Sequence, residues 1–266
     1  MQISFFEEFP TKENLDKLKY VTWNTKLYLA TKSLKEFEKI KKQIQKQLKQ
    51  SKSKTKVKEY IYWPILEKKE GYWISPFSNR KALKRIFKEI ESKTKSKIRT
   101  KPVPIMIDAE LPTTKNPFLY ITQFFNFLSN RKLIRTFIKN NKPVYIAEYY
   151  PEGKFKEGIL SFLGLHFDPK KYNYKVIKML YHSLHNFDEK FLNKELEQGK
   201  EEFGNNFITA FGIIAKGVSD EKHLLSFESL KQDLTIAKKQ RLKEIIIFRL
   251  GGMNKEYQKV IEKFVQ

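Results

Sequence analysis

Cysteine is absent from all 266 residues, which excludes disulfides, thiolate metal sites, iron–sulfur clusters and cysteine nucleophiles together. Glycine and proline are scarce, with 10 of each, and no Pro/Gly/Ser-rich linker divides the chain. One domain over 1–266 is therefore expected. Long apolar runs are missing as well. The best candidate, 118–128, is interrupted by Thr122, Gln123 and Asn126, short of the ~18 apolar residues of a membrane span. The opening MQISFFEEFP lacks a basic n-region and an apolar h-region, so a cytoplasmic location without a signal peptide is expected. Only four histidines occur. With His182, His185 and His223 read as helix or loop residues, a three-histidine zinc site is not expected.

Acid is the other shortage: 30 Asp and Glu face 53 Lys and Arg, a formal charge of +23. The excess is concentrated. Residues 32–58 hold 11 lysines against Glu36 and Glu38, and residues 80–101 hold 10 Lys/Arg against Glu89 and Glu91. A basic face of this kind can bind nucleic acid or an anionic surface without specificity. No nucleic-acid-binding motif accompanies it, and solvated, thermophile-like lysine faces are the simpler reading. What is abundant is apolar and aromatic: 40% hydrophobic residues, with 22 Phe and 13 Tyr, enough for a sizeable core and against disorder.

Strand-like and helix-like runs alternate from end to end. The strand candidates are 2–6, 26–30, 60–65, 103–107, 144–147, 164–167, 207–214 and 244–248. Helical periodicity follows at 12–19, 34–49, 80–91, 117–140 (two helices broken near Ser129-Asn130), 155–162, within 174–203, 227–239 and 255–265. Strict alternation implies parallel strands with right-handed crossovers. Eight such pairs predict a single closed (β/α)8 barrel, with an open doubly wound sheet as the competing layout.

In a β/α barrel the reactive face is built where strands end. Here the strand candidates run into acids, aromatics and proline: Glu7-Glu8, Tyr62-Trp63-Pro64, Asp108-Ala109-Glu110, Glu148-Tyr149-Tyr150-Pro151, His166-Phe167-Asp168-Pro169 and Arg249. Close carboxylates repel one another unless a proton or cation sits among them. A basic chain that gathers them at strand ends thus offers acid–base chemistry. Asp108 and Glu110 are two apart on one strand and share a face, which suits Glu110 as general acid with Asp108 tuning it. Glu148 shares the parity of Val144 and Ile146 and reads as an inward base or nucleophile. Of Glu7 and Glu8 only one can point inward. Glu7, Glu8 and Asp168 are further catalytic candidates, and Tyr62, Trp63, Tyr149, Tyr150, His166 and Arg249 are substrate-binding ones, with neutralisation of the acidic cluster as the alternative role of Arg249.

Carboxylates beside aromatics at a barrel rim is the arrangement of glycosidases. The strand Ile105-Met106-Ile107-Asp108-Ala109-Glu110 resembles the tail of the signature of chitinase-type glycoside hydrolases. The resemblance is confined to that strand, and the upstream glycine and additional aspartates of that family's pattern are absent. It implies hydrolysis of an oligosaccharide without a cofactor. Two other enzyme readings compete. Lys216-Gly217 and Gly251-Gly252, in the loops after strands seven and eight, suit a phosphosugar. Acids from several strands with His166 suit Mg²⁺ or Mn²⁺ in a sugar isomerase or lyase. The aromatic run Phe118, Phe124, Phe125, Phe127 and Leu128 is expected to pack on the barrel, with a homodimer face as the alternative.

Overall fold

The computed structural model describes residues 1–51, 55–95, 102–113, 118–148, 154–172, 174–182, 187–213 and 225–265. Eight strands close a parallel barrel in chain order: β1 (Gln2–Glu7), β2 (Asn24–Thr31), β3 (Lys56–Pro64), β4 (Ile105–Asp108), β5 (Val144–Glu148), β6 (Lys175–Met179), β7 (Phe207–Gly212) and β8 (Glu244–Phe248). Between and after them run α1 (Lys12–Leu15), α2 (Leu34–Gln50), α3 (Arg80–Lys95), α4 (Phe118–Phe124), α5 (Phe127–Asn140), α6 (Lys154–Leu163), α7 (Pro169–Tyr172), α8 (Glu189–Phe203), α9 (Phe227–Lys239) and α10 (Lys255–Ile261). The helices start where side-chain caps are legible in the sequence: Thr11, Ser226 and Asn254 each accept a backbone N–H of the first turn. No helix among the described residues is long and apolar enough to cross a membrane.

The chain divides into two compact units. The first comprises Met1–Ala30, Glu38–Ile61 and Ile177–Gln266, with Phe5, Leu27, Leu29, Ile245, Ile247 and Tyr257 buried in its core. The second comprises Thr31–Phe37 and Tyr62–Val176. Its core includes Ile86, Ile105 and Ile107, and Phe87 stacks on Phe137 at 4.1 Å between ring centres.

The second unit shows which way its strands face. Tyr62 lies 5.3 Å from Phe37 of α2, so it points to the helices. Its register partner is Ile105, whose partner in turn is Val144. Partners in a parallel ladder share a face and neighbours along a strand alternate. Tyr62, Ile105, Ile107, Val144, Ile146 and Glu148 therefore face the helices, while Trp63, Met106, Asp108, Tyr145 and Ala147 face inward.

The sixth strand departs from expectation. Residues 164–167 are irregular, and β6 is Lys175–Met179, inside a stretch whose pattern predicts helix. Gly164 ends α6 instead of opening a strand. At φ 71° it donates to the Ser161 carbonyl while Leu165 donates to that of Leu160, a Schellman turn. The true strand is hidden in sequence by Lys178, which is buried by an ion pair with Glu195 of α8 at 3.8 Å. The break between α4 and α5 also falls earlier than the pattern predicts. Asn130 is held inside α5, its amide donating to the carbonyls of Pro76 and Ser78.

Within the first unit, α8 meets β7 at a glycine. A Cβ on Gly199 would stand 2.3 Å from the Phe207 ring. Gly199→Ala is expected to cost about 1–3 kcal/mol through overpacking, and Gly199→Ala with Phe207→Leu to recover part of it. Urea unfolding of both variants checks this; an unchanged midpoint for the single variant contradicts it.

Candidate functional site

The acids at the strand ends divide by the side of the sheet they occupy. Glu7, the last residue of β1, points to α1 and is completely buried. Its carboxylate accepts from the backbone N–H of Phe9 (2.9 Å) and Gly251 (2.7 Å), from the Asn14 amide (3.2 Å) and from Nη1 of Arg249 (3.1 Å). Burial pushes it up to about 7 from 4.5, although Arg249 and the Phe9 and Gly251 amides pull the other way. Asn14 is itself fixed by the Phe9 carbonyl at 2.7 Å, and the Arg249 guanidinium lies 5.1 Å from the Phe9 ring centre.

This cluster gives Arg249 and the glycine pair their partners. Arg249 binds a carboxylate of its own chain. The Gly251 amide is engaged by Glu7, and that of Gly252 donates to the Arg249 carbonyl at 3.0 Å. A side chain at Gly251 would meet Arg249 at 2.5 Å and Asn14 at 2.7 Å. The glycine there serves close packing around Glu7, and neither amide is left open for a phosphate. With Glu7 on the helix side, alternation assigns Glu8 to the opposite side; it too is buried.

Glu148 is the second helix-side acid. Parity with Val144 and Ile146 suggests an inward side chain, but the ladder from Tyr62 places all three outward. The carboxylate accepts from Nδ1 of His166 at 2.7 Å and from the Phe167 amide at 3.3 Å, and the Tyr174 hydroxyl lies 3.1 Å away. Glu148, His166 and Tyr174 are all buried. These contacts tie β5 to the segment before β6. His166 and Asp168 precede β6 and do not end it, which removes the strand-end argument for both. Asp168 accepts Lys171 at 3.4 Å across the short α7. Tyr62 is sealed in the helix-side core, and burial raises its phenol well above the ordinary range.

The inner face of the second unit keeps Asp108, at the end of β4. Asp108 pairs in register with Ala147, and the ladder continues through the Ala109 amide to the Ala147 carbonyl at 2.9 Å. Asp108 is buried and Glu110, two residues on, is half-buried. On the same face Trp63 stacks on Trp73 at 5.9 Å with ring planes 5° apart. The Trp73 indole N–H donates to the Thr113 hydroxyl at 3.1 Å, pinning the loop that carries Glu110. Trp73 and its neighbour Tyr72, 4.4 Å away ring to ring, were missed in the sequence. Their signal was present: an aromatic pair beside Gly71 in the loop after β3. Tyr181, stacked on Phe248 at 5.3 Å, was missed because β6 was misplaced.

Tyr149, Tyr150, Lys216 and Gly217 lie outside the described residues. Among the described residues no three His, Asp or Glu side chains gather as metal ligands would.

No known family profile matches the chain, and no curated protein matches it. Solved structures do. A class V chitinase from Pseudomonas fluorescens Pf-5 superposes with a TM-score of 0.60 at 9% identity, covering 100% of this chain and 99% of that one. The PgaB (BpsB) glycoside hydrolase domain from Bordetella bronchiseptica gives 0.56 at 10% identity, over 100% and 98%. The 3-keto-D-glucoside 4-epimerase YcjR from E. coli gives 0.50 at 12% identity, over 99% and 98%. At such identities the likeness is one of fold, a closed β/α barrel.

The Glu7 cluster makes stability depend on pH. Its carboxyl titrates higher in the folded chain, near 7, than the ordinary 4.5. Between those values the folded chain holds a proton that the unfolded chain has released. The resulting stabilisation is fully present below about pH 4.5 and is lost as pH rises through about 7. Glu7→Gln is expected to flatten this decline, which reaches roughly 1 kcal/mol per pH unit. Urea midpoints from pH 5 to 8 check it; identical slopes in both proteins contradict it.

Proposed function

We propose that the chain is a glycoside hydrolase in which Glu110 is the general acid and Asp108 its charged partner. The observation that carries this reading is the inner-face placement of Asp108 at the end of β4, with the less buried Glu110 two residues beyond. The barrel likeness to a chitinase and to another glycoside hydrolase domain supports it, as does the Asp-x-Glu strand end.

The chemistry follows from two carboxyl groups on one face. A carboxylate at Asp108 disfavours a second negative charge beside it and so favours a proton on Glu110. Glu110 delivers that proton to the glycosidic oxygen as the bond to the anomeric carbon lengthens. The negative charge at Asp108 then stabilises the oxocarbenium-like centre that develops, water adds to the anomeric carbon once the leaving group departs, and the proton it releases returns to the Glu110 carboxylate. Trp73 is a positioning residue: its hydrogen bond to Thr113 holds the loop on which Glu110 sits. Glu148 has no catalytic part in this scheme, since its carboxylate serves His166 and Phe167 on the helix side.

The test is hydrolysis of fluorogenic glycosides and chitooligosaccharides by the full chain, with and without chelator. Activity is expected to survive chelator and to follow a bell-shaped pH profile. Glu110→Gln is expected to lower kcat by ~10²–10⁴-fold with an unchanged circular dichroism spectrum and melting temperature. Asp108→Asn is expected to lower kcat with little change in KM. A folded Glu110→Gln variant with full activity would overturn the assignment, and loss of wild-type hydrolysis with chelator would overturn the metal-independent scheme.

A further inference from the structure

Between Glu110 and Glu148 the chain contains no Asp or Glu, and within 118–140 the only charged residues are Arg131, Lys132, Arg135 and Lys139. The same stretch holds the aromatic run expected to pack on the barrel. Phe127 does so, but Phe118, Ile121, Phe124, Phe125 and Leu128 are exposed, Phe125 at 88% and Leu128 at 68% of full accessibility. Phe162 of α6, 59% exposed, extends this surface through a ring contact with Phe127 at 5.7 Å. A contiguous exposed apolar area of this kind marks an interaction site in a folded protein.

The cations adjoin it directly. Leu128, at the end of the apolar ridge, also lines a groove of about 430 Å³ formed with Arg131, Lys132, Arg135, Lys139 and Tyr172. The Arg131 guanidinium lies 5.5 Å from the Phe162 ring centre. Nε of Arg131 and Nε of Arg135 are buried without a hydrogen-bond acceptor among the described residues. Aromatic and aliphatic side chains project beside four cations that have no acidic partner among the described residues. All of these residues belong to the second unit.

We propose that this face docks the protein on an anionic bilayer surface. Phe124, Phe125 and Leu128 would enter the boundary between headgroups and acyl chains while the Arg131–Lys139 groove takes lipid phosphates. The occupant must be apolar and anionic at once, and a leaflet containing acidic lipid is both. A nucleic acid would satisfy the cations and could stack on the phenylalanines only where its bases are unpaired, but it would leave Ile121 and Leu128 in water. A second copy of the chain, paired symmetrically through this face, would bring two cationic grooves together. Arg is suited to phosphate through its planar, multiply donating guanidinium.

The experiment is co-sedimentation of the full chain with vesicles of phosphatidylcholine alone and with about 30% phosphatidylglycerol, enough acidic lipid to give the surface a negative potential. Binding is expected only to the anionic vesicles. Phe125→Ser with Leu128→Ser, at side chains already in water, is expected to weaken it about tenfold or more. Lys132→Glu with Lys139→Glu is expected to do the same. In Phe125→Trp the indole emission should shift to the blue on vesicle addition, and millimolar inorganic phosphate should not displace the protein. Binding indifferent to the Phe125 and Leu128 substitutions would overturn the proposal, reducing it to general attraction by the +23 charge. So would displacement by phosphate, or a dimer that these same substitutions dissolve. Vesicle binding and glycoside hydrolysis are read separately, so failure of one leaves the other standing.

Discussion

Alternation along parallel strands is the constraint on which the arrangement of acids depends. A residue in a barrel strand faces either the interior or the helices, and its neighbour faces the other way. A carboxylate on the helix side enters a dry layer and persists only where donors converge on it. Glu7 meets that demand with two backbone amides, Asn14 and Arg249, and Glu148 meets it with His166, Phe167 and Tyr174. These acids are joints. Each binds the end of its strand to the chain that packs behind it. The acid at the end of β4 stands on the other side of that division, as Glu8 does after Glu7, toward the part of the fold where barrel chemistry is done.

The excess of base is distributed by the same logic. Lysine is plentiful enough that some of it, buried Lys178 and half-buried Lys26, leaves the surface and pairs with an acid. Lys178 takes Glu195, and Lys26 of β2 takes Glu244 of β8 at 2.7 Å, with Ser4 of β1 bonded to the same carboxylate at 3.0 Å. His182 and the completely buried Asp233 form a third such pair at 2.7 Å, and that hydrogen bond raises the imidazole. A pair of this sort costs desolvation that its attraction roughly offsets, so its value lies in fixing which side chains meet. The segment 118–140 has no acid with which to do this, and its cations therefore stay at the surface.

Most of the architecture was legible because strand and helix periods differ and the caps were in place. Every strand except β6 fell where its apolar run predicted. β6 failed because a buried lysine imitates a helix surface in sequence, and because Gly164-Leu165 looks the same whether it ends a helix or begins a strand. The placement of Asp108 at the end of β4 was legible from the apolar run before it. Glu148 was not, since its parity is relative: inward and outward are assigned only when a neighbouring strand's register is anchored, here by Tyr62 against Phe37. Arg249 and Gly251 meet Glu7 across more than 240 residues of chain, and no local pattern announces a contact of that separation.

The α4–α5 face shows how composition misleads in the opposite sense. A run rich in Phe predicts core, and part of it is core: Leu119 and Phe127 are buried. A helix can turn only about a third of its circumference to the barrel, a stripe of roughly 100°. Phe118, Ile121, Phe124 and Phe125 fall on one face of about 120°, and the helix instead turns Leu119 and Gln123 inward. The projecting side chains run into a groove of arginine and lysine rather than into a mixed polar surface. That adjacency, and not the count of phenylalanines, distinguishes a membrane-facing ridge from an over-apolar helix. Residue types favoured in a core have been placed outside it beside charges that a core would exclude, and a departure in both directions at one place is where function is to be sought.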